Sequence, residues 1–113
     1  MRWPIWRVAV AERSMEPRLR TGDWLLVWRG LRPGRPVRIR PGQVVVARDP
    51  QRPQILLVKR AAWHEAGGWW LDSDYKWAGA VDSARFGLVP FDLIEGRVLG
   101  RYFPFRRAGR PKP

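Results

Sequence analysis

Few side chains in this sequence can act as a nucleophile or a base. Serine occurs only at Ser14, Ser73 and Ser83, histidine only at His64, and cysteine not at all. Without cysteine there is no thiolate nucleophile, no thiolate metal site and no disulfide. A Ser-His-Asp triad would have to use His64, which reads as lying in a Gly-flanked turn, a poor setting for an oriented base, so it reads as a surface histidine. A zinc centre needs three or four His, Cys or carboxylate ligands; with one histidine, no metal and no cofactor is expected.

Lysine is the informative residue. Arginine fills nearly all the basic positions, and Lys59 and Lys76 are the lysines inside the expected fold. Lys59 follows Leu56-Leu57-Val58 in an apolar run. A guanidinium keeps its proton near neutral pH, whereas an amine loses it when burial disfavours the charged form. A neutral amine can then take the proton of a serine hydroxyl. Chemistry that requires a base is one reason for lysine here; a strand lysine pointing outward is the other.

Short strands must position these groups. Residues 3–12 alternate as a first strand, with Pro4 placing its start at an edge. Pro17 fits the first turn of a short helix. Trp24–Trp28 reads as a buried strand, and 30–42 as a Pro-rich loop. Gln43–Arg48 and Gln54–Ala62 make a hairpin across the turn Asp49–Pro53. A turn at Glu65–Gly68 leads into Trp69-Trp70-Leu71, and 72–85 reads as a polar loop. Leu88–Ile94 is a strand end with a helical turn, and Glu95–Phe103 is the last strand. The fold expected is therefore all-β: a compact, barrel-like core of short antiparallel strands with one or two short helical turns. Residues 1–105 form one domain, and 106–113 a basic, Pro-rich, disordered tail.

The 113 residues carry a net charge of +12, with 22 basic against 10 acidic residues. Such an excess attracts polyanions and anionic lipid surfaces, but the arginines are scattered along the chain and fit a solvated basic surface. No apolar run approaches the roughly 18 residues that mark a membrane-spanning helix. The first ten residues are too short and too charged for a signal peptide. The chain reads as cytoplasmic. Among eight tryptophans, some are available for a substrate cleft or for peripheral membrane contact; Trp24 reads as core, and Trp3 and Trp6 fit either setting.

Five boxes stand in order: Ser14-Met-Glu-Pro-Arg-Leu19, Gly22-Asp-Trp-Leu-Leu-Val27, Pro41-Gly-Gln-Val-Val-Val46, Val58-Lys-Arg60 and Asp82-Ser-Ala-Arg-Phe-Gly87. Over roughly residues 10–104 this set resembles the type I signal peptidases. The run Val58–Ala62 followed by Gly67-Gly-Trp-Trp70 is similar, more narrowly, to the maturation protease of nickel-type superoxide dismutase. The resemblance implies a serine endopeptidase with Ser14 as nucleophile and Lys59 as general base, removing a short N-terminal propeptide or signal-like segment. Met15 and Pro17 would shape the turn that presents the serine, and the Ser14 backbone N–H would donate to the oxyanion. Arg60 and Asp82 would form a salt bridge supporting the lysine strand, with Ser83 in the same support loop. The partner implied is a protein bound as an extended strand, with a nickel superoxide dismutase precursor as the narrower candidate; no nucleic acid is expected.

Three positions depart from the family pattern. The oxyanion serine is Glu12 here, the Gly-Asp-Asn of the last loop is Ser73-Asp74-Tyr75, and the serine that contacts the base lysine falls on Ala80. The alternatives are a catalytically inactive relative and a nucleic-acid-binding basic β-barrel, the latter motivated by charge interleaved with aromatics.

Overall fold

Alternating apolar residues along short strands set the architecture. The computed structural model describes residues 4–10, 15, 19, 22–30, 37–75 and 81–103. Six strands, β1 (Ile5–Ala9), β2 (Trp24–Trp28), β3 (Val44–Arg48), β4 (Leu56–Glu65), β5 (Gly68–Asp72) and β6 (Ile94–Phe103), pair antiparallel in the order β1-β2-β6-β3-β4-β5. One helical turn, α1 (Ser83–Phe86), and a 3-10 turn at Phe91–Leu93 complete the described elements. This is the all-β architecture the sequence leads one to expect. The expected tail at 106–113 and the helical turn at Pro17 lie outside the described residues.

β3 occupies the middle of the sheet, between β6 and β4. Successive strand residues point to opposite faces, and Val44-Val45-Val46-Ala47 is buried throughout. A run with no polar alternation is what a strand covered on both faces requires. Val44 and Val46 join one core cluster with Val10, Met15, Leu19, Leu25 and Val27. Val45 and Ala47 join a second with Ala61, Trp69, Leu71, Val89 and Ile94. The β3–β4 hairpin closes where Asp49 accepts hydrogen bonds from the N–H groups of Gln51 and Arg52, an Asx-type turn.

Several expectations change. Trp24–Trp28 is half-buried: Leu25 and Val27 face the core, while Trp24 and Leu26 point outward, and Trp24 is 36% exposed. Period-2 alternation buries the two aliphatic residues and leaves Trp24 outside the core. Trp6 packs against the first cluster, and Trp3 lies outside the described residues. β4 runs on to Glu65, and the polar stretch before Gly87 contains α1, whose N-cap Asp82 accepts from Ala84 N. β1 is shorter than expected, ending at Ala9.

The β4–β5 hairpin depends on Gly68. Its φ is +141°, and a Cβ there would stand 2.0 Å from the Val89 carbonyl oxygen, which also receives the Trp69 N–H. Backbone strain and a backbone clash would add. Gly68→Ala is therefore expected to destabilise the fold by roughly 2–4 kcal/mol, read as a lower midpoint in urea unfolding.

Candidate functional site

The site is built around one amine. Along β4, Leu57, Lys59 and Ala61 alternate with Val58 and Arg60, and these three are buried. Lys59 stands opposite Val45 of β3, in the covered middle of the sheet. It has no exposed surface and is the largest of the fully buried side chains among the described residues. The outward-pointing alternative is thereby excluded. Its Nζ donates to Ser73 Oγ at 3.3 Å, and Ser73 is itself only 3% exposed.

Strand register explains why Ser73 is the neighbour. β4 and β5 pair as Arg60↔Asp72 and Ala61↔Leu71, then as Trp63↔Trp70, His64↔Trp69 and Glu65↔Gly68. Ala62 is the extra residue of a β-bulge between these two registers. Continuing the inner register by one residue sets Lys59 against Ser73. Continuing the outer register inward would instead have set Lys59 against Asp74, and a carboxylate neighbour favours the ammonium form.

Asp74 serves Arg60. The guanidinium makes a two-pronged bond, Nε to Asp74 Oδ1 at 3.0 Å and Nη2 to Oδ2 at 2.9 Å, while Nη1 donates to the Gly42 carbonyl at 2.7 Å. The expected Arg60–Asp82 salt bridge is therefore replaced by Arg60–Asp74. The physical reason is that Asp82 is used elsewhere. Its Oδ1 accepts from Ala84 N at 3.0 Å and its Oδ2 from Ser73 N at 3.3 Å. Beside it, Ser83 Oγ accepts from Leu71 N at 2.7 Å. Asp82 and Ser83 thus hold the last residues of the β5 segment from the side opposite β4.

The Pro41-Gly42-Gln43 box is a turn that grips β4. Gly42 N donates to the Ala61 carbonyl at 2.7 Å, and Ala61 N to the Gln43 carbonyl at 2.8 Å. The Gly22-Asp23 box closes the loop that joins β1 to β2. Gly22, at φ +95°, donates to the Val10 carbonyl at 2.9 Å, and Val10 N donates to the Asp23 carbonyl at 2.8 Å. Ser14 and Pro17 belong to that loop and lie outside the described residues, as do Glu12, Lys76 and Ala80. Met15 is described: it is 1% exposed in the first core cluster, and its carbonyl accepts from Leu19 N at 3.0 Å.

His64 is exposed on β4, five residues from Lys59 and so about 16 Å along the strand; its ring tilts against Trp69 at 4.9 Å. That is the surface histidine expected, on a strand rather than in a turn. Several arginines have partners within the chain: Arg48 with Glu95, Arg52 with Asp49 and Arg101 with Asp23, and Arg29 over the Trp6 ring at 3.8 Å. Ser73 is the contact that motif reading did not assign to the site. Its signal was present in the scarcity of serine and in its position just after an apolar strand.

Two mitochondrial protease subunits align with this chain. Mitochondrial inner membrane protease subunit 2 of Schizosaccharomyces pombe is 34% identical over 87 residues, covering 61% of this chain and 48% of the relative. Mitochondrial inner membrane protease subunit 1 of Xenopus tropicalis is 29% identical over 116 residues, covering 85% of this chain and 68% of the relative. The chain thus spans about half of the first relative's length and about two thirds of the second's. No family model matches the chain.

The Arg60–Asp74 pair is largely buried, with side chains 14% and 11% exposed. Removing one partner of such a pair is costlier than removing both. Arg60→Met is expected to cost roughly 3 kcal/mol, and Arg60→Met with Asp74→Leu clearly less. Urea unfolding of the two variants beside the parent chain measures the difference.

Proposed function

We propose that this chain is a serine endopeptidase with a Ser14/Lys59 dyad, removing a short N-terminal segment from a protein substrate. The observation that carries the proposal is the complete burial of Lys59 in the Val58-Lys59-Arg60 box, with the Ser73 hydroxyl set beside its amine by strand register. The protease names of the two relatives support the same class of reaction.

In this reading the buried amine is uncharged when substrate binds. Lys59 Nζ takes the proton of Ser14 Oγ as that oxygen attacks the scissile carbonyl. The proton then passes to the leaving amine as the C–N bond breaks, leaving an acyl-enzyme. Lys59 next takes a proton from water as the water oxygen attacks the acyl carbon, and it returns that proton to Ser14 Oγ as the ester C–O bond breaks, releasing the acid product and restoring both groups. The Ser14 backbone N–H donates to the oxyanion. Met15 and Pro17 shape the turn, and Arg60, Asp82 and Ser83 support the lysine strand and the segment beside it. β1 is an end strand of the sheet and leads directly into the Ser14 loop. Its outer side, which no described strand pairs with, suits an extended peptide added as a further strand, with small residues such as alanine next to the cut.

The narrower substrate, a nickel superoxide dismutase precursor, rests on the Val58–Ala62 and Gly67–Trp70 resemblance, and the relatives' names lend it no support. Location is read in the same way. Among the described residues no helix is long and apolar enough to cross a membrane, while both relatives are named for a membrane. Work at a membrane surface fits those names better than the cytoplasm does.

Internally quenched peptides with alanine on the acyl side of the cut provide the assay. Ser14→Ala and Lys59→Ala are each expected to lower kcat/KM by at least about a thousandfold with the unfolding midpoint retained. Lys59→Arg is expected to be equally inactive, because a guanidinium does not give up its proton. Cleavage that survives Lys59→Ala refutes the dyad.

The pH dependence has a definite sign. Only the unprotonated amine is competent, and its fraction grows as pH rises, so kcat/KM is expected to climb toward alkaline pH. A flat profile from about pH 5 to about pH 10 counts against a lysine base.

A further inference from the structure

We propose that Ser73 is the positioning residue for the Lys59 amine: its buried hydroxyl fixes where Nζ stands. This inference rests on the dyad reading above and adds to it a residue that lies outside the five boxes, at a position where the family pattern has glycine.

A lysine side chain ends in a flexible four-carbon stem, and ordering it costs up to about 2 kcal/mol of rotamer freedom. A base must nevertheless stay within hydrogen-bond reach of the proton it removes. The contact from Nζ to Ser73 Oγ at 3.3 Å supplies a fixed point at the end of that stem. Ser73 can do this because it is held in turn. Its N–H donates to Asp82 Oδ2, whose carboxylate also caps α1 through Ala84 N. Two residues earlier, Leu71 N is held by Ser83 Oγ. The hydroxyl is therefore anchored to α1 on one side and meets the amine of β4 on the other.

The bulge at Ala62 contributes chemistry as well as shape. It sets Lys59 against Ser73, while the Asp74 carboxylate receives Arg60. The Ser73 hydroxyl is a neutral group and adds no charge of its own beside the amine. Ala80, where the resemblance puts a lysine-contacting serine, has no hydroxyl to offer.

The test uses the full chain and the alanine-containing quenched peptides. Ser73→Ala is expected to lower kcat about tenfold or more, the scale of one hydrogen bond to a charged or reacting group, with KM and the unfolding midpoint little changed. Ser73→Thr, which keeps the hydroxyl, is expected to recover most of kcat. Should Ser73→Ala fail to fold, Ser73→Cys keeps the volume, weakens the bond, and is expected to show the same fall in kcat. Wild-type kcat in a folded Ser73→Ala or Ser73→Cys protein, with Lys59→Ala inactive, overturns the role of Ser73 and leaves the dyad standing. Full activity in Lys59→Ala overturns both. A lowered unfolding midpoint with kcat intact assigns Ser73 to stability alone and overturns the positioning role.

Discussion

A buried amine must have its hydrogen-bonding capacity met by groups that the fold brings to it, since water does not reach it. Lys59, with no exposed surface in the middle of a six-stranded sheet, imposes that condition on everything around it. Cross-strand register decides what meets the amine. Ala62, one extra residue in β4, puts Ser73 in that place. Because strand side chains alternate with a period of two, a slip of one residue would also send Lys59 to the other face. The valines of β3 prevent this: Val45 beside Lys59 and Val44 beside Arg60 are both buried, each on its own face.

The ion pair on the other face is the complement of this arrangement. Arg60 follows Lys59 directly, so its side chain leaves the strand on the opposite side. There it links β4 to the Gly42 turn and to Asp74. A guanidinium suits that place because it keeps its charge and presents paired donors to a carboxylate. The proposed function asks something different of its neighbour Lys59, an amine that can exist without charge. The Lys59-Arg60 dipeptide therefore places two basic side chains of different chemistry on opposite faces of a single strand.

Much of this fold could be read from residue patterns. The run Val44-Val45-Val46-Ala47 announces a covered strand, and the Asp49-Pro50 turn makes it one arm of a hairpin, because both signals are local. Lys59 stood out for a local reason too: it is a lysine in an apolar run of an arginine-rich chain. What the sequence did not reveal depends on pairing between distant segments. The partner of Arg60 is Asp74 rather than Asp82 because Asp82 caps α1, a helix of one turn that carries almost no periodicity. The contact between Lys59 and Ser73 requires the bulge at Ala62, and nothing about an alanine in a strand indicates a bulge. Trp24 was misread because WLLVW is apolar at every position. Only the packing of Leu25 and Val27 shows which face of that strand is covered.

Net charge takes a different meaning once pairing is known. A charge of +12 suggests a polyanion partner when each arginine is counted as free. Arg48, Arg52, Arg60 and Arg101 meet carboxylates within the chain, and Arg29 lies over the Trp6 ring. Such contacts tie segments together: Arg101 of β6 reaches Asp23, next to β2, and Arg48 of β3 reaches Glu95 of β6. These arginines are engaged by the sheet itself, and a charged ligand would have to compete with those contacts. An arginine count measures attraction at a distance. In the proposed reading the chemistry depends instead on Lys59, a basic side chain that the sheet encloses.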